Sequence, residues 1–398
     1  MRSIVRTSGL AAAGILALGI AAQAAQAEVV KVGIIAPFSG PFARWGEQFT
    51  QAIKVFQKHN GTTVKGHTVE VIYRDVGGPD PAKSRQLAEE LILREKVQFL
   101  GGFAFTPNAL AIAELITEAK VPAVLMNAAT AVITRRSPYF VRSSFTAPQV
   151  AAPIGQWAPK NGMKKVVVLV SDYGPGHDME ATFIKHFKAN GGEVPEAIRV
   201  PLATTDFAPF YERVLKHKPD AMFMFGPGGP SSVGMINTWA SRLRPAGVKL
   251  LVTNETQEID LPKIGKSAIG VIGSSHYTET VDNPLNNALR KDLTGLFGPN
   301  AVPDTATVSA YDGMKLIYMV IDKLGPRPDA LAAVNAMRGA EFASPRGPIR
   351  IDPKERDIIQ NVYLRRVEER GGRLVNINFA TIPMVRDPWK DENPSPTQ

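Results

Sequence analysis

The sequence contains no cysteine, so disulfides, Cys-ligated zinc and thiol catalysis are all excluded, although an exported chain could have used disulfides. It also has little that would make it a membrane protein. One uninterrupted apolar stretch stands out, from Leu10 to about Ala22, behind Arg2 and Arg6 and ahead of Ala25 and Ala27 in a small-x-small pattern. Roughly 20 apolar residues are needed to span a bilayer, and this stretch is shorter and runs into a cleavage pattern, so it reads as a signal peptide cleaved after about Ala27. No later segment is long and apolar enough to span. The mature chain is expected to be exported and soluble, with about 370 residues, enough for two compact domains.

Catalytic and metal motifs are missing as well. The six histidines, His59, His67, His177, His186, His217 and His276, show no HExxH or other ligand spacing, and there is no GxSxG elbow and no Walker loop. GPGGPS at 226–231 lacks the third glycine of a dinucleotide fingerprint and reads better as a tight strand-to-helix turn. Asp172, His177 and Asp178 sit close together, which fits a cap and a surface pair. These absences predict a protein that is not an enzyme and that carries no cofactor and no metal. The formal charge is +9 and falls to +7 once Arg2 and Arg6 leave. The remaining Lys and Arg are scattered, whereas a nucleic-acid surface would gather them on one stripe with aromatic residues between. A solvated basic surface, drawing anionic solutes weakly, is the expectation.

What is present is alternation. VVKVGIIAPF precedes a helical pattern from Trp45 to Asn60, HTVEVIYRD one from Pro81 to Arg94, and VQFLGG one from Pro107 to Ala119. KVVVLVSDYG precedes a helix from about His177 to Asn190, AMFMFG one from Ser231 to Arg244, and VKLLVTN a further short segment. Strand-helix alternation of this length predicts α/β architecture with two doubly wound parallel-sheet lobes. Ligands of such sheets sit at the carboxyl ends of strands. That singles out APFSG, GGFAFT, NAAT, SDYG, FGPGG and TNE. Trp45 lies about one turn into its helix, where it is either a cleft wall or ordinary packing. Thr106, before Pro107, is either an N-cap or an anion contact. Tyr173 follows a strand end beside glycine, where a ring can lie in a cleft and keep its hydroxyl wet. The polar tail RDPWKDENPSPTQ reads as disordered.

Together KVGIIAPFSGPFARWG, YRDVGGPDPAKSRQLAEELI, QFLGGFAFTPNALA, VPAVLMNAATAVIT, YFVRSSF, VVVLVSDYGPG, DFAPFYERVLKHKPDAMF and PIRIDP resemble the leucine/isoleucine/valine-binding family of periplasmic solute-binding proteins, which serve ABC importers. The resemblance runs over nearly the whole mature chain. It implies type I periplasmic-binding-protein architecture, two lobes joined by a three-strand hinge, with residues 28–145 and 276–345 in the first lobe, 146–275 and 346–385 in the second, and 386–398 as tail. It implies ABC permease subunits as partners, a small-molecule carboxylate ligand and a monomeric state. Carried over by position, ligand contacts fall on Trp45, Phe105, Thr106, Ala128, Ala129 and Thr130 of the first lobe, and on Tyr173, around Gly228, and on Glu255 of the second. NAAT would offer backbone groups and the Thr130 hydroxyl to the polar head of the ligand.

Three departures bear on the ligand. Phe105 stands where amino-acid binders of the family place a carboxylate-holding serine. Glycine replaces the covering tyrosine in FGPGGP. Glu255, which matches the partner of an ammonium group, is kept. Trp45, Phe105, Tyr173 and Tyr277 make the expected wall aromatic, and GGFAxTPNA with SPRGPI resembles the branch that imports aromatic acids. The expectation is a receptor for a small carboxylate-bearing solute, either an aromatic or other organic acid or an amino acid. A ligand sensor of the same fold and a periplasmic hydrolase are the alternatives.

Overall fold

The structure, a computed structural model, describes residues 27–395. The expected leader, with Arg2, Arg6 and Ala25, lies outside the described residues. Among those described, no helix is long and apolar enough to cross a membrane.

The first sheet is made of β1 (Val29–Ala36), β2 (Thr63–Val64), β3 (His67–Asp75), β4 (Phe99–Gly102), β5 (Ala123–Leu125) and β6 (Phe140–Arg142), in the order β2-β3-β1-β4-β5-β6. All its pairings are parallel except β2 with β3. The crossovers are α1 (Ala43–Asn60), α2 (Pro81–Leu93), and α3 (Thr106–Ala111) with α4 (Ala113–Ala119). The single helix expected from Pro107 to Ala119 is thus two. They meet at Ile112, whose N–H bonds back to Ala109 in a tight three-residue turn. Val32, Ile34 and Val124 point to one side of the sheet and Ile35, Leu100 and Leu125 to the other, into two separate apolar clusters. Burial on both faces is why these strands read as near-continuous apolar runs.

The chain then crosses through 143–146 to the second lobe. Helix α5 (Ala147–Lys160) is followed by β7 (Val166–Ser171), α6 (Gly174–Ala189), β8 (Ala197–Val200), α7 (Ala208–Lys216), β9 (Ala221–Phe225), α8 (Gly229–Arg242), β10 (Lys249–Val252), α9 (Leu261–Ile264) and β11 (Ile272–Ser275). Strands β8-β7-β9-β10-β11 run parallel. The chain next returns to the first lobe, where α10 (Pro284–Phe297), α11 (Thr305–Leu324) and α12 (Ala330–Met337) add Leu289, Ile317 and Val334 to the cluster around Phe49 and Phe56 of α1. Strands β12 (Glu341–Ser344) and β13 (Gly347–Ile351) lead into the long hairpin β14 (Ile358–Arg370) and β15 (Arg373–Val385), which joins the second sheet antiparallel to β11. Ile349 and Ile351 still pack in the first lobe's core. This segment therefore belongs to one lobe by hydrogen bonding and to the other by packing.

The tail corrects an expectation. Residues 388–392 form α13 (Pro388–Glu392), capped by Asp387, whose carboxylate accepts from the Trp389 N–H. Lys390 is buried, with its Nζ 2.7 Å from Thr134 Oγ1, 3.0 Å from Asp357 and 3.2 Å from Glu355. A charge-rich tail looks unstructured by composition, but here a lysine satisfies two buried carboxylates far away in sequence.

Candidate functional site

The carboxyl ends of the two sheets face each other, and the loops leaving them line a cavity. Its first-lobe wall comes from Trp45 on α1, Ala104, Phe105 and Thr106 after β4, and Asn127 and Ala129 after β5. Phe145 lies on the crossover. The second lobe supplies Tyr173 and Pro175 after β7, Phe225 to Gly228 after β9, and Asn254, Glu255 and Gln257 after β10. In each sheet the neighbouring strands β1/β4 and β7/β9 are where strand order reverses, the place such sheets bind ligands.

Backbone geometry brings these groups inward. Gly102 takes a φ of +101°, with the place of its missing Cβ 2.4 Å from the Ile35 carbonyl oxygen, and Phe103 follows in the left-handed region at φ +64°. The Phe103 N–H bonds to the Ile35 carbonyl and its carbonyl accepts from the Ala128 N–H, which fixes a conformation costing on the order of 1–3 kcal/mol. The turn swings Ala104, Phe105 and Thr106 to the cavity. In NAAT the side chains alternate: Asn127 and Ala129 line the cavity, whereas Ala128 packs into the apolar cluster with Leu125 and Ile133.

Of the residues expected at the site, Trp45, Phe105, Thr106, Ala129, Tyr173, Gly228 and Glu255 meet around one cavity. Ala128, Thr130 and Tyr277 do not. Thr130 sits one step behind, its Oγ1 2.9 Å from Thr106 Oγ1. Tyr277 is buried in the first lobe's core, its hydroxyl donating to Asn286 Oδ1 at 2.8 Å. It follows a strand end of the second sheet, but the chain is already crossing to the other lobe. Further lining residues were not named as contacts, among them Asn254, Gln257, Phe145 and Phe225. Asn254 is the immediate neighbour of Glu255, and the two phenylalanines end the runs YFVRSSF and AMFMF, so position alone could have found all but Gln257.

The walls are rigid aromatic faces. Phe105 is held edge-on by Phe42 at 4.9 Å, Tyr173 stacks on Phe225 at 6.0 Å, and Phe145 stacks on His276 at 4.7 Å. Burial and the positive field of Arg346 hold the His276 imidazole neutral, well below its ordinary pKa. Two buried donors on the lining, Trp45 Nε1 and Asn254 Nδ2, have no hydrogen-bond partner among the described residues. The Asn254 amide is oriented by Ser275, whose hydroxyl donates to its Oδ1 at 2.6 Å. A buried donor left unmatched costs about 1–3 kcal/mol.

Among the described residues Glu255 is the one carboxylate on the lining, and no Lys, Arg or His lines it. Its oxygens are turned to its own lobe, accepting from the Thr253 N–H at 2.7 Å, the Thr253 hydroxyl at 3.2 Å and the Gly226 N–H at 3.3 Å. Desolvation outweighs these bonds and pushes the carboxyl up to about 7. The exposed pair of His177 and Asp172, 2.7 Å apart, lies off the cavity lining, and Asp178 accepts from the Ala131 N–H. No cluster of metal-ligating side chains occurs among the described residues.

Residues 29–373 match the family described as periplasmic binding protein. The chain belongs to this family. It is 44% identical over 382 residues, 95% of this chain and 98% of the relative, to Leu/Ile/Val-binding protein homolog 6 of Brucella melitensis. Two solved structures of ABC-transporter solute-binding proteins are similarly near. The one from Rhodopseudomonas palustris HaA2, in complex with p-hydroxybenzoic acid, is 44% identical with a TM-score of 0.89, covering 90% of this chain and 98% of that one. The one from Rhodopseudomonas palustris BisB5, in complex with 3,4-dihydroxybenzoic acid, is 43% identical with a TM-score of 0.87, covering 91% and 99%. The fold is that of a type I periplasmic binding protein. The chain is a solute-binding protein of the ABC-transporter class and not an enzyme.

Proposed function

We propose that this periplasmic binding protein captures an aromatic carboxylate in the cavity between its lobes and presents it to an ABC permease in the inner membrane. The observation that carries this reading is the pairing of five aromatic rings, Trp45, Phe105, Phe145, Tyr173 and Phe225, with two unpartnered buried donors, Trp45 Nε1 and Asn254 Nδ2, and no free counter-charge for an ammonium. An amino acid would place a desolvated cation here, and Glu255 is already engaged by Thr253 and Gly226. A flat acid needs only donors at its oxygens and apolar faces on its ring, which is the usual division of labour in small-molecule sites. The carboxylate would be held by the N–H groups of Asn254 and Trp45, with the Thr106 hydroxyl, set by Thr130, as a third donor. Hydroxybenzoates bound to the Rhodopseudomonas palustris proteins support the same class. Closure of the lobes about the segments at 143–146, 276–283 and 352–357 would be the signal read by the permease.

A thermal-shift screen of benzoate, hydroxybenzoates, branched-chain amino acids and short aliphatic acids tests this. A solute at about 100 times its dissociation constant adds roughly 2.7 kcal/mol to stability. The expected result is stabilisation by aromatic acids alone. Stabilisation by leucine or isoleucine and not by any benzoate would refute it.

A further inference from the structure

Beside the cavity a buried polar cluster joins the two lobes. Arg44 on α1 reaches across with Nη1 to Asp260 at 2.8 Å and to Gln257 Oε1 at 2.6 Å, both on the segment after β10. Gln257 answers by donating Nε2 to Thr305 Oγ1 on α11 of the first lobe at 2.9 Å. The side chains of Arg44 and Asp260 are 7% and 2% exposed. The guanidinium lies 4.1 Å over the Trp45 ring and against the Gly228 turn, where a Cβ on Gly228 would fall 2.4 Å from Nη2. Arg44 is thus absent from the cavity lining yet presses on two residues that form it, Trp45 and Gln257.

We propose that Arg44 is a positioning residue: its cross-lobe pairing with Asp260 and Gln257 holds the lobes shut and the Trp45 ring in place, without touching the solute. Opened lobes would hydrate Arg44 and Asp260 separately, so this network exists only on closure. It therefore favours the closed state by the same amount whatever ring fills the cavity, and its effect belongs in the release rate. Selectivity stays with the lining. Asp304, which caps α11, is a second carboxylate in the field of Arg44, so Asp260→Asn leaves the guanidinium with a counter-charge. This inference rests on the reading of the cavity as a solute site between closing lobes.

The test is a double-mutant cycle of Arg44→Gln, Asp260→Asn and the double variant, with benzoate and 4-hydroxybenzoate as solutes, measured by calorimetry and stopped-flow release. Each single change is expected to weaken both solutes by the same factor, on the order of tenfold and through faster release, and the double variant to be no weaker than the weaker single one. Unequal factors for the two solutes would make Arg44 a direct contact and overturn the proposal, as would additive losses or unchanged affinity. If neither benzoate binds the parent protein, the proposed solute class has failed, and the network is read instead by solution scattering without solute. A parent protein more compact than Arg44→Gln supports the proposal, and equal radii overturn it.

Discussion

Glu255 makes the solute class readable from a pH profile. Its carboxyl is buried without a cationic partner at hydrogen-bond range and is pushed by desolvation up to about 7, against an ordinary value of 4.5. Near neutral pH the cavity therefore holds a mixture of neutral and ionised Glu255. A carboxylate solute entering the same enclosed space repels the ionised form, so binding takes up a proton. Affinity should be level below about pH 6 and fall above about pH 7, by roughly tenfold between pH 6 and 8 when the bound-state pKa lies well above 8. The solute carboxyl, with an ordinary pKa of about 4, stays ionised throughout. Calorimetric titration of 4-hydroxybenzoate from pH 5.5 to 8.5 measures this directly. Glu258 and Asp387 are likewise pushed up to about 7, and Asp304 to about 6, so Glu255→Gln is the needed control. It removes the charge, keeps the shape, and should leave affinity flat with pH and at least as tight as the parent at pH 8. A parent affinity that rises through pH 7 would mean that the ionised carboxylate is wanted, as it would be for an ammonium-bearing solute. A variant that keeps the parent's slope would assign the titration to another group. Either result defeats the reasoning.

Three other outcomes follow from the geometry around the site and the tail. Asn254→Ala should weaken solute binding by about 1–3 kcal/mol, since the solute loses a buried donor, with little change in the melting temperature of the solute-free protein; calorimetry with a parallel thermal scan checks both. Gly174 opens α6 at the seam between the lobes, where an added Cβ would lie 2.9 Å from Thr130 Oγ1 and 3.4 Å from Thr106 Cγ2, so Gly174→Ala should prop the lobes apart, lowering affinity about tenfold while leaving each lobe's stability intact. Lys390→Met strips one partner from buried Glu355 and Asp357, and should cost about 3 kcal/mol in denaturant unfolding without touching affinity.

The parallel core of both lobes was legible because its strands are buried on two faces and its turns carry glycine. VVVLVSDYG and AMFMFGPGG announce strand, turn and helix start in nine residues each, and the structure puts β7 with α6 and β9 with α8 there. Helix α5 carries no such announcement. APQVAAPIGQWAPK holds Pro153 and Pro159 inside the helix, and proline within a pattern ordinarily signals its end. The hairpin of β14 and β15 hides for a different reason. RRVEER reads as a solvated charged run, yet its first residue, Arg365, is fully buried, donating to the Tyr277 carbonyl at 2.9 Å and 3.5 Å from Glu258. Local periodicity cannot report a charge whose partner lies over 100 residues away.

The same limit separates the site residues that position could find from those it could not. A strand-end rule places a side chain near the cavity when the chain stays in its own lobe, and it holds for Phe105, Tyr173 and Glu255. It fails at Tyr277, because the loop after β11 leaves for the first lobe and takes the ring into that core. It is also blind to which neighbour in a strand-end pair faces inward. Ala128 and Ala129 are alike in sequence, yet the bond from the Ala128 N–H to Phe103 turns one to the core and the other to the cavity. The left-handed Phe103 that accepts this bond also delivers Phe105 and Thr106. One unfavourable backbone conformation thus sets both first-lobe loops of the site, which explains why a residue that never reaches the cavity can govern its shape.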